Sequence, residues 1–317
     1  MTDTAGRPAA GRGLILNEEQ PVASTTSRLA KVRARLDLPT VRRASGLLEG
    51  RHRSIYSGHG QDFDEMAEYQ FGDDVSDIDW KASASYGLPV IRRFVRDSNL
   101  AMVVAVDTGR NMAATAPDGA PKTEIAMFAA EVVCFLARSR GDTVALVAGD
   151  TERIVQIPAR GGTEHIETML RRVEAMFELE APASDLNRVL DRVLTWFNRR
   201  SLVVLITDEA RPQPEHELAL KRLRTRHEVM VIQVGDAMPT MFGDHPIDDV
   251  DVHLEIPEYM RSDKALAAEA RSVVEQRQED VRTLLRRQGV QGVVATSEDQ
   301  LIDALIDLLR RQRRVRH

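Results

Sequence analysis

LAMVVAVD, residues 100–107, decides the fold. Its apolar run is unbroken until Asp107, the pattern of a strand covered on both faces, as happens where helices flank a mostly parallel sheet. SLVVLITD, residues 201–208, repeats the design and also ends in an aspartate, Asp208. Outward from these two runs, strand-like and helix-like segments alternate. TEIAMFAAEVVCFLARSR (123–140) reads as a helix; TVALVAGD (143–150) and ERIVQIPA (152–159) read as strands joined in a hairpin through Gly149 and Asp150. EHIETMLRRVEAMFEL (164–179) and SDLNRVLDRVLTWFNRR (184–200) are amphipathic helices, with Ser184 placed to cap the second. HELALKRLRTRH, EVMVIQVGD and DVDVHLEI continue as helix, strand and strand, and two long helices around GVQGVVAT close the chain. This alternation specifies an α/β doubly wound, mostly parallel sheet flanked by helices, in which ligands sit beyond the carboxyl ends of the strands. Asp107 and Asp208 fall there.

Composition narrows the function classes. The 317 residues are 43% hydrophobic, enough for one large core or two modest ones. A net charge of -6 and a pI near 5.8 give no general attraction to nucleic acid, which calls for a basic face. Cys134 is the sole cysteine, so neither an internal disulfide nor a multi-thiolate zinc site is available within one chain. No segment approaches the roughly 20 apolar residues of a membrane helix, nor has the opening stretch the core of a signal peptide. The expectation is a cytoplasmic protein without a membrane span.

The Gly-, Ala-, Pro- and Thr-rich residues 1–27 read as a disordered leader. Residues 28–98 form a second region. Leu29, Val32 and Leu36, then Val41, Leu47 and Leu48, suggest two short helices; RHRSIYSGHGQ reads as a basic loop, DFDEMAEYQFGDDVSDIDW (62–80) as an acidic stretch and LPVIRRFVRD as an extended segment. Residues 99–317 carry the α/β alternation.

Two resemblances add to this reading. From Asn99, with VVAVDTGRN on the first strand and LVVLITDEA on a later one, the chain resembles a von Willebrand factor A domain. That family holds magnesium through an Asp-x-Ser-x-Ser loop, a distant Thr and a later strand-end Asp. The resemblance places Asp107 first and Asp208 last, with Gly109 and Asn111 at the serine positions. Glycine offers no side-chain ligand and only the Asn111 carbonyl could replace a hydroxyl, so the implied magnesium site is degenerate. Ser184 matches the distant Thr, with Thr163 in GGTEHIETML as its rival. Alternatively, Ser184 and Thr163 cap helices while Asp107 and Asp208 accept backbone N–H bonds. The second resemblance is longer. GLLEGRHRSIYSGHGQDFDEMAEYQFGDDVSDIDWKASASYGLPVIRRFVRD is similar to the signature segment of the bacterial domain-of-unknown-function family numbered fifty-eight, whose members are commonly encoded beside MoxR-type AAA ATPases.

For the acidic stretch, Asp73, Asp77 and Asp79 lack the fixed offsets, glycine and terminal glutamate of an EF-hand. No nucleophile accompanies its carboxylates as a catalytic set. Its aromatics, in a chain with 4% aromatic content, suggest a clasp onto the α/β domain. Asp62, Phe63, Tyr69, Asp73, Asp74, Asp77, Asp79 and Trp80 are its candidate residues, with a partner surface and a solvated acidic loop as alternatives. The resemblances imply a non-enzymatic adaptor that binds a MoxR-type AAA ATPase or a client protein. The competing reading is a metal-dependent hydrolase using the strand-end aspartates.

Overall fold

A computed structural model describes residues 29–30, 32, 62–69, 78–95, 101–238, 248–250, 254–255 and 263–314. Six strands make the central sheet: β3 (Ala101–Asp107), β4 (Thr143–Gly149), β5 (Ile154–Arg160), β6 (Leu202–Asp208), β7 (Glu228–Val234) and β10 (Gln291–Ala295). Their order is β10-β7-β6-β3-β4-β5. All neighbours are parallel except β4 and β5. The pairing at that antiparallel edge shifts between Leu146↔Ile157 and Val144↔Arg160, a bulge that takes in Pro158. The doubly wound class expected from the two apolar runs is the one observed.

Alternation along each strand sends side chains to two separate cores. Val104, Val106, Leu146 and Ile206 face a cluster completed by α2 (Lys122–Ser139), α3 (Thr163–Glu174) and α7 (Glu298–Arg314). Val103, Ala105, Val147 and Leu205 face the other, completed by α4 (Leu186–Trp196), α5 (Glu217–Arg226) and α6 (Lys264–Arg287). Burial of each large aliphatic side chain contributes about 1.5–3 kcal/mol, so two filled faces explain why these strands have almost no polar positions. Cys134 lies inside α2, where burial and Glu131 push its thiol up to about 12 and close it to thiolate chemistry. Leu29 and Val32, both helical, are buried against the first core, and the Leu29 N–H donates to Glu167 Oε1 at 3.2 Å.

Connectivity reverses beside β3. The chain leaves β3 through α2 toward β4 and the β5 edge, then returns through α3 and α4 to β6 on the opposite side of β3. Helices before and after this reversal cover different faces, which opens a crevice at the carboxyl ends of β3 and β6. Asp107 and Asp208 stand on either side of it.

In the second region LPVIRRFVRD is extended, as expected, and the acidic stretch opens with a strand. β1 (Asp62–Glu68) pairs antiparallel with β2 (Val90–Val95), and α1 (Trp80–Tyr86) lies between them in sequence. Within the supposed aromatic clasp the burial is inverted. Trp80 is 69% exposed, whereas Asp79 is 8% exposed. Asp79 caps α1, its Oδ1 accepting from the Lys81 and Ala82 N–H groups at 3.0 Å each, so its burial follows from satisfied helix-end donors. Trp80 therefore does not anchor a clasp. Tyr69 is half-buried, Asp62 and Phe63 lie on β1, and Asp73, Asp74 and Asp77 lie outside the described residues. So do the leader and most of the two short helices expected near residues 28–50. Among the described residues near DVDVHLEI, β8 (Asp248–Asp249) pairs with β9 (Leu254–Glu255), apart from the main sheet.

Candidate functional site

Each parallel strand from β3 to β7 delivers an aspartate to the same rim of the sheet: Asp107, Asp150 just after β4, Asp208, and Asp236 just after β7. Their surroundings divide them into three arrangements.

Asp107 is fully buried and held by protein donors. Its Oδ1 accepts from the Gly109 N–H at 3.1 Å and the Ser184 hydroxyl at 2.8 Å; its Oδ2 accepts from the Thr207 hydroxyl at 3.0 Å, with Arg211 Nε 3.9 Å away. Burial pushes this carboxyl above the usual range, opposed by Gly109, Arg211, Ser184 and Thr207. Ser184 arrives on a loop fixed by two backbone bonds, Arg110 N–H to Pro182 O and Thr151 N–H to Ala183 O, each 3.0 Å. Gly109 permits that approach, since a Cβ there would lie 2.3 Å from Ser184 Oγ and 2.4 Å from its backbone nitrogen. Asp185, not Ser184, caps α4 by accepting from the Arg188 N–H at 3.0 Å.

Asp150 is also fully buried. It accepts from the Glu152 and Arg153 N–H groups at 2.9 and 2.7 Å and from Arg153 Nε at 2.8 Å, which makes it the organiser of the β4–β5 turn.

The third arrangement centres on Lys122, the first residue of α2, which is 0% exposed. Its ammonium donates to Asp208 Oδ2 and to Asp236 Oδ1, the latter at 2.5 Å. Burial disfavours the ammonium, yet Asp208 and Asp236 outweigh it and raise the Lys122 pKa above the ordinary lysine value. The second Asp208 oxygen accepts from the Ala210 N–H at 2.7 Å. Glu209 lies beside them, its carboxyl raised by burial while accepting from Gln278 Nε2 at 3.2 Å. The turn carrying Asp208 and Glu209 is pinned by Gln233, whose Nε2 donates to Glu209 O and Arg211 O at 3.0 and 2.8 Å.

Asp236 shares the single ammonium with Asp208. Burial first, then the Asp208 charge, raise its pKa to about 7 despite Lys122. A carboxyl whose folded pKa exceeds its unfolded one stabilises the fold fully at pH below the unfolded value and loses that contribution as pH rises through the folded value. For Asp236 the window runs from the ordinary value of 3.8 to about 7. The advantage of an Asp236→Asn variant over the parent should therefore grow between pH 5 and 8. Its side chain is 40% exposed, so solvent screening limits the relative gain to about 2–4 °C in Tm, the change that roughly 1 kcal/mol makes in a domain of this size. Melting curves of both proteins across that range check it, and a constant difference would count against this ionisation.

Of the residues singled out in the sequence, Asp107 and Ser184 meet directly. Asn111 lies half-buried on the 3-10 turn Arg110–Ala113 in the loop after β3, and Thr163 begins α3, whose cap is Gly162. Magnesium demands near-octahedral oxygen ligation at about 2.0–2.1 Å. The groups present do not fit it. Asp208 is engaged by an ammonium and a backbone N–H, the Ser184 proton is directed at Asp107, and Gly109 contributes no ligand. Among the described residues, no group of three or more His, Cys, Asp or Glu side chains forms a metal cage. Sequence reasoning missed Lys122, Glu209, Arg211 and Asp236, while Asp150 was read only as part of the hairpin. The carboxylates at 150 and 236 had a visible signal, a Gly-Asp pair ending each strand in TVALVAGD and EVMVIQVGD.

Known proteins resemble this chain in sequence and in structure. An uncharacterized protein of Mycobacterium tuberculosis is 31% identical over 215 residues, and the match spans 66% of each chain. A solved aerotolerance-related membrane protein from Bacteroides fragilis covers 67% of this chain and 99% of its own at 13% identity and a TM-score of 0.41. A von Willebrand factor type A structure from Catenulispora acidiphila covers 69% of this chain and 43% of its own at 12% identity and a TM-score of 0.36. The expected cytoplasmic location is corrected here. The Bacteroides fragilis neighbour is described as a membrane protein, and an acidic composition does not by itself assign a compartment. Among the described residues, no helix is long and apolar enough to cross a membrane. Residues 65–250 match the family described as protein of unknown function DUF58, and the chain belongs to that family, on a von Willebrand factor A-like fold.

Proposed function

We propose that this protein is a non-enzymatic interaction module that docks a MoxR-type AAA ATPase, or that ATPase's client, at the carboxyl rim of its sheet. The observation that carries the reading is a cleft of about 90 Å³ beside the Lys122 cluster. Glu209, Asp236, Ala237 and Met238 form one side and Val274 and Gln278 of α6 the other. Sites for small molecules and cofactors run to about 300–1,000 Å³, so this cleft has room for one inserted side chain rather than a nucleotide or a drug-sized substrate. It opens beyond the carboxyl ends of β6 and β7, on the same rim as the crevice between β3 and β6, and this end of an α/β sheet is where ligands bind.

The test is capture of tagged protein from native cells, with and without ATP, and identification of bound partners by mass spectrometry. An AAA ATPase retained in a nucleotide-dependent way is the expected result. Two variants locate the face. Ala237→Arg blocks the cleft and should abolish retention, and Asn111→Ala on the neighbouring loop should weaken it about tenfold, the effect of roughly 1.4 kcal/mol, with circular dichroism unchanged. Capture of no ATPase in either nucleotide state would overturn the reading.

A further inference from the structure

We propose that the Lys122 ammonium is the resident cation of this rim, standing in for a divalent ion and making the strand-end arrangement independent of metal. Three observations combine. First, Lys122 joins the carboxyl ends of several strands at once. Its ammonium binds Asp208 at the end of β6 and Asp236 just after β7, and its backbone N–H donates to Ala114 O at 2.8 Å in the loop that follows β3. A metal bridging strand-end oxygens would tie together the same elements.

Second, the charge is built in. Lys122 is among the largest fully buried side chains of the described residues, and its stem and head are both removed from solvent. An isolated buried ammonium is strongly disfavoured, but one bonded to two carboxylates is not. Displacing it would require moving the first residue of α2, which is held by the surrounding core.

Third, the other carboxylate of a metal shell is separately satisfied. Asp107 receives the Gly109 N–H and the hydroxyls of Ser184 and Thr207, so it needs no additional cation to complete its hydrogen bonding. Protein donors thus occupy both halves of the arrangement. The inference does not depend on the proposed partner, because it concerns how the rim is held in the free protein.

The experiment compares the full chain with its Lys122→Ala variant in EDTA, in millimolar magnesium and in millimolar manganese. Thermal melting is read together with manganese binding by electron paramagnetic resonance. The parent should melt at one temperature in all three conditions and leave manganese free. Lys122→Ala should melt lower in EDTA, bind manganese and recover part of the loss when the ion is added, as a ligand specific to the folded state must do. Manganese binding or metal-dependent melting in the parent would overturn the proposal. So would a Lys122→Ala protein that folds but melts alike with and without metal. Should that variant not fold, the parent's manganese titration alone decides, free ion supporting the inference and bound ion refuting it.

Discussion

Asp208→Ala should lower the unfolding free energy by about 3–5 kcal/mol, the range for removing one member of a buried ion pair. Asp208 has 5% of its side chain exposed and Lys122 none. Truncation leaves the ammonium with Asp236 alone, which is 40% exposed and shared with solvent. It also frees the Ala210 N–H, which Asp208 Oδ1 accepts at 2.7 Å. The loss therefore combines a buried ammonium left with one partly exposed carboxylate and an unmet backbone donor. Urea denaturation followed by circular dichroism gives the value, and a cycle with Lys122→Met separates the two parts. The double variant should lose less than the sum of the single ones, with a coupling of about 1–3 kcal/mol for residues in direct contact. Additive effects would show that the pair is not a functional unit of the fold.

Gly109→Ala should be nearly as damaging, about 2–4 kcal/mol, through overpacking and a broken buried hydrogen bond. The backbone at Gly109 has φ -66°, so alanine meets no conformational penalty. The obstacle is Ser184, whose Oγ, N and Cα would lie 2.3, 2.4 and 2.5 Å from the new methyl. A hydroxyl can rotate away, but the backbone atoms cannot move without breaking the loop bonds at Pro182 and Ala183. Adding Ser184→Gly should consequently restore only part of the stability, because it removes the hydroxyl and leaves the backbone conflict. Full restoration would mean that the loop moves more freely than its contacts indicate. Chemical denaturation of the single and double variants is the measurement.

These two sites also show what could be read from the sequence. The strands were legible because burial on both faces leaves a run such as LVVLI no polar position. Asp107 and Asp208 were legible because an aspartate ending such a run must lie at the sheet's rim. Asp236 ends its strand segment in the same way, but one sequence does not show that its partner is a lysine more than a hundred residues earlier. Lys122 gave no local signal. A lysine entering a helix is ordinarily solvated, and only the convergence of β6, β7 and α2 buries it. Trp80 was legible only in part for a related reason: aromatic character indicates a capacity for burial and equally for contact with a partner, and the helix cap at Asp79 decided which neighbour went inside.

The bulge at Pro158 bears on how copies of the sheet meet one another. An outer strand normally offers a row of unpaired donors and acceptors on which another chain can extend the ladder, the route to aggregation. On β5 that row is interrupted by an irregular register and by a proline, which has no N–H to donate. Among the described residues, the β5 border is therefore a poor template for adding a strand, which hinders a sheet of apolar strands from growing into fibrils through that edge.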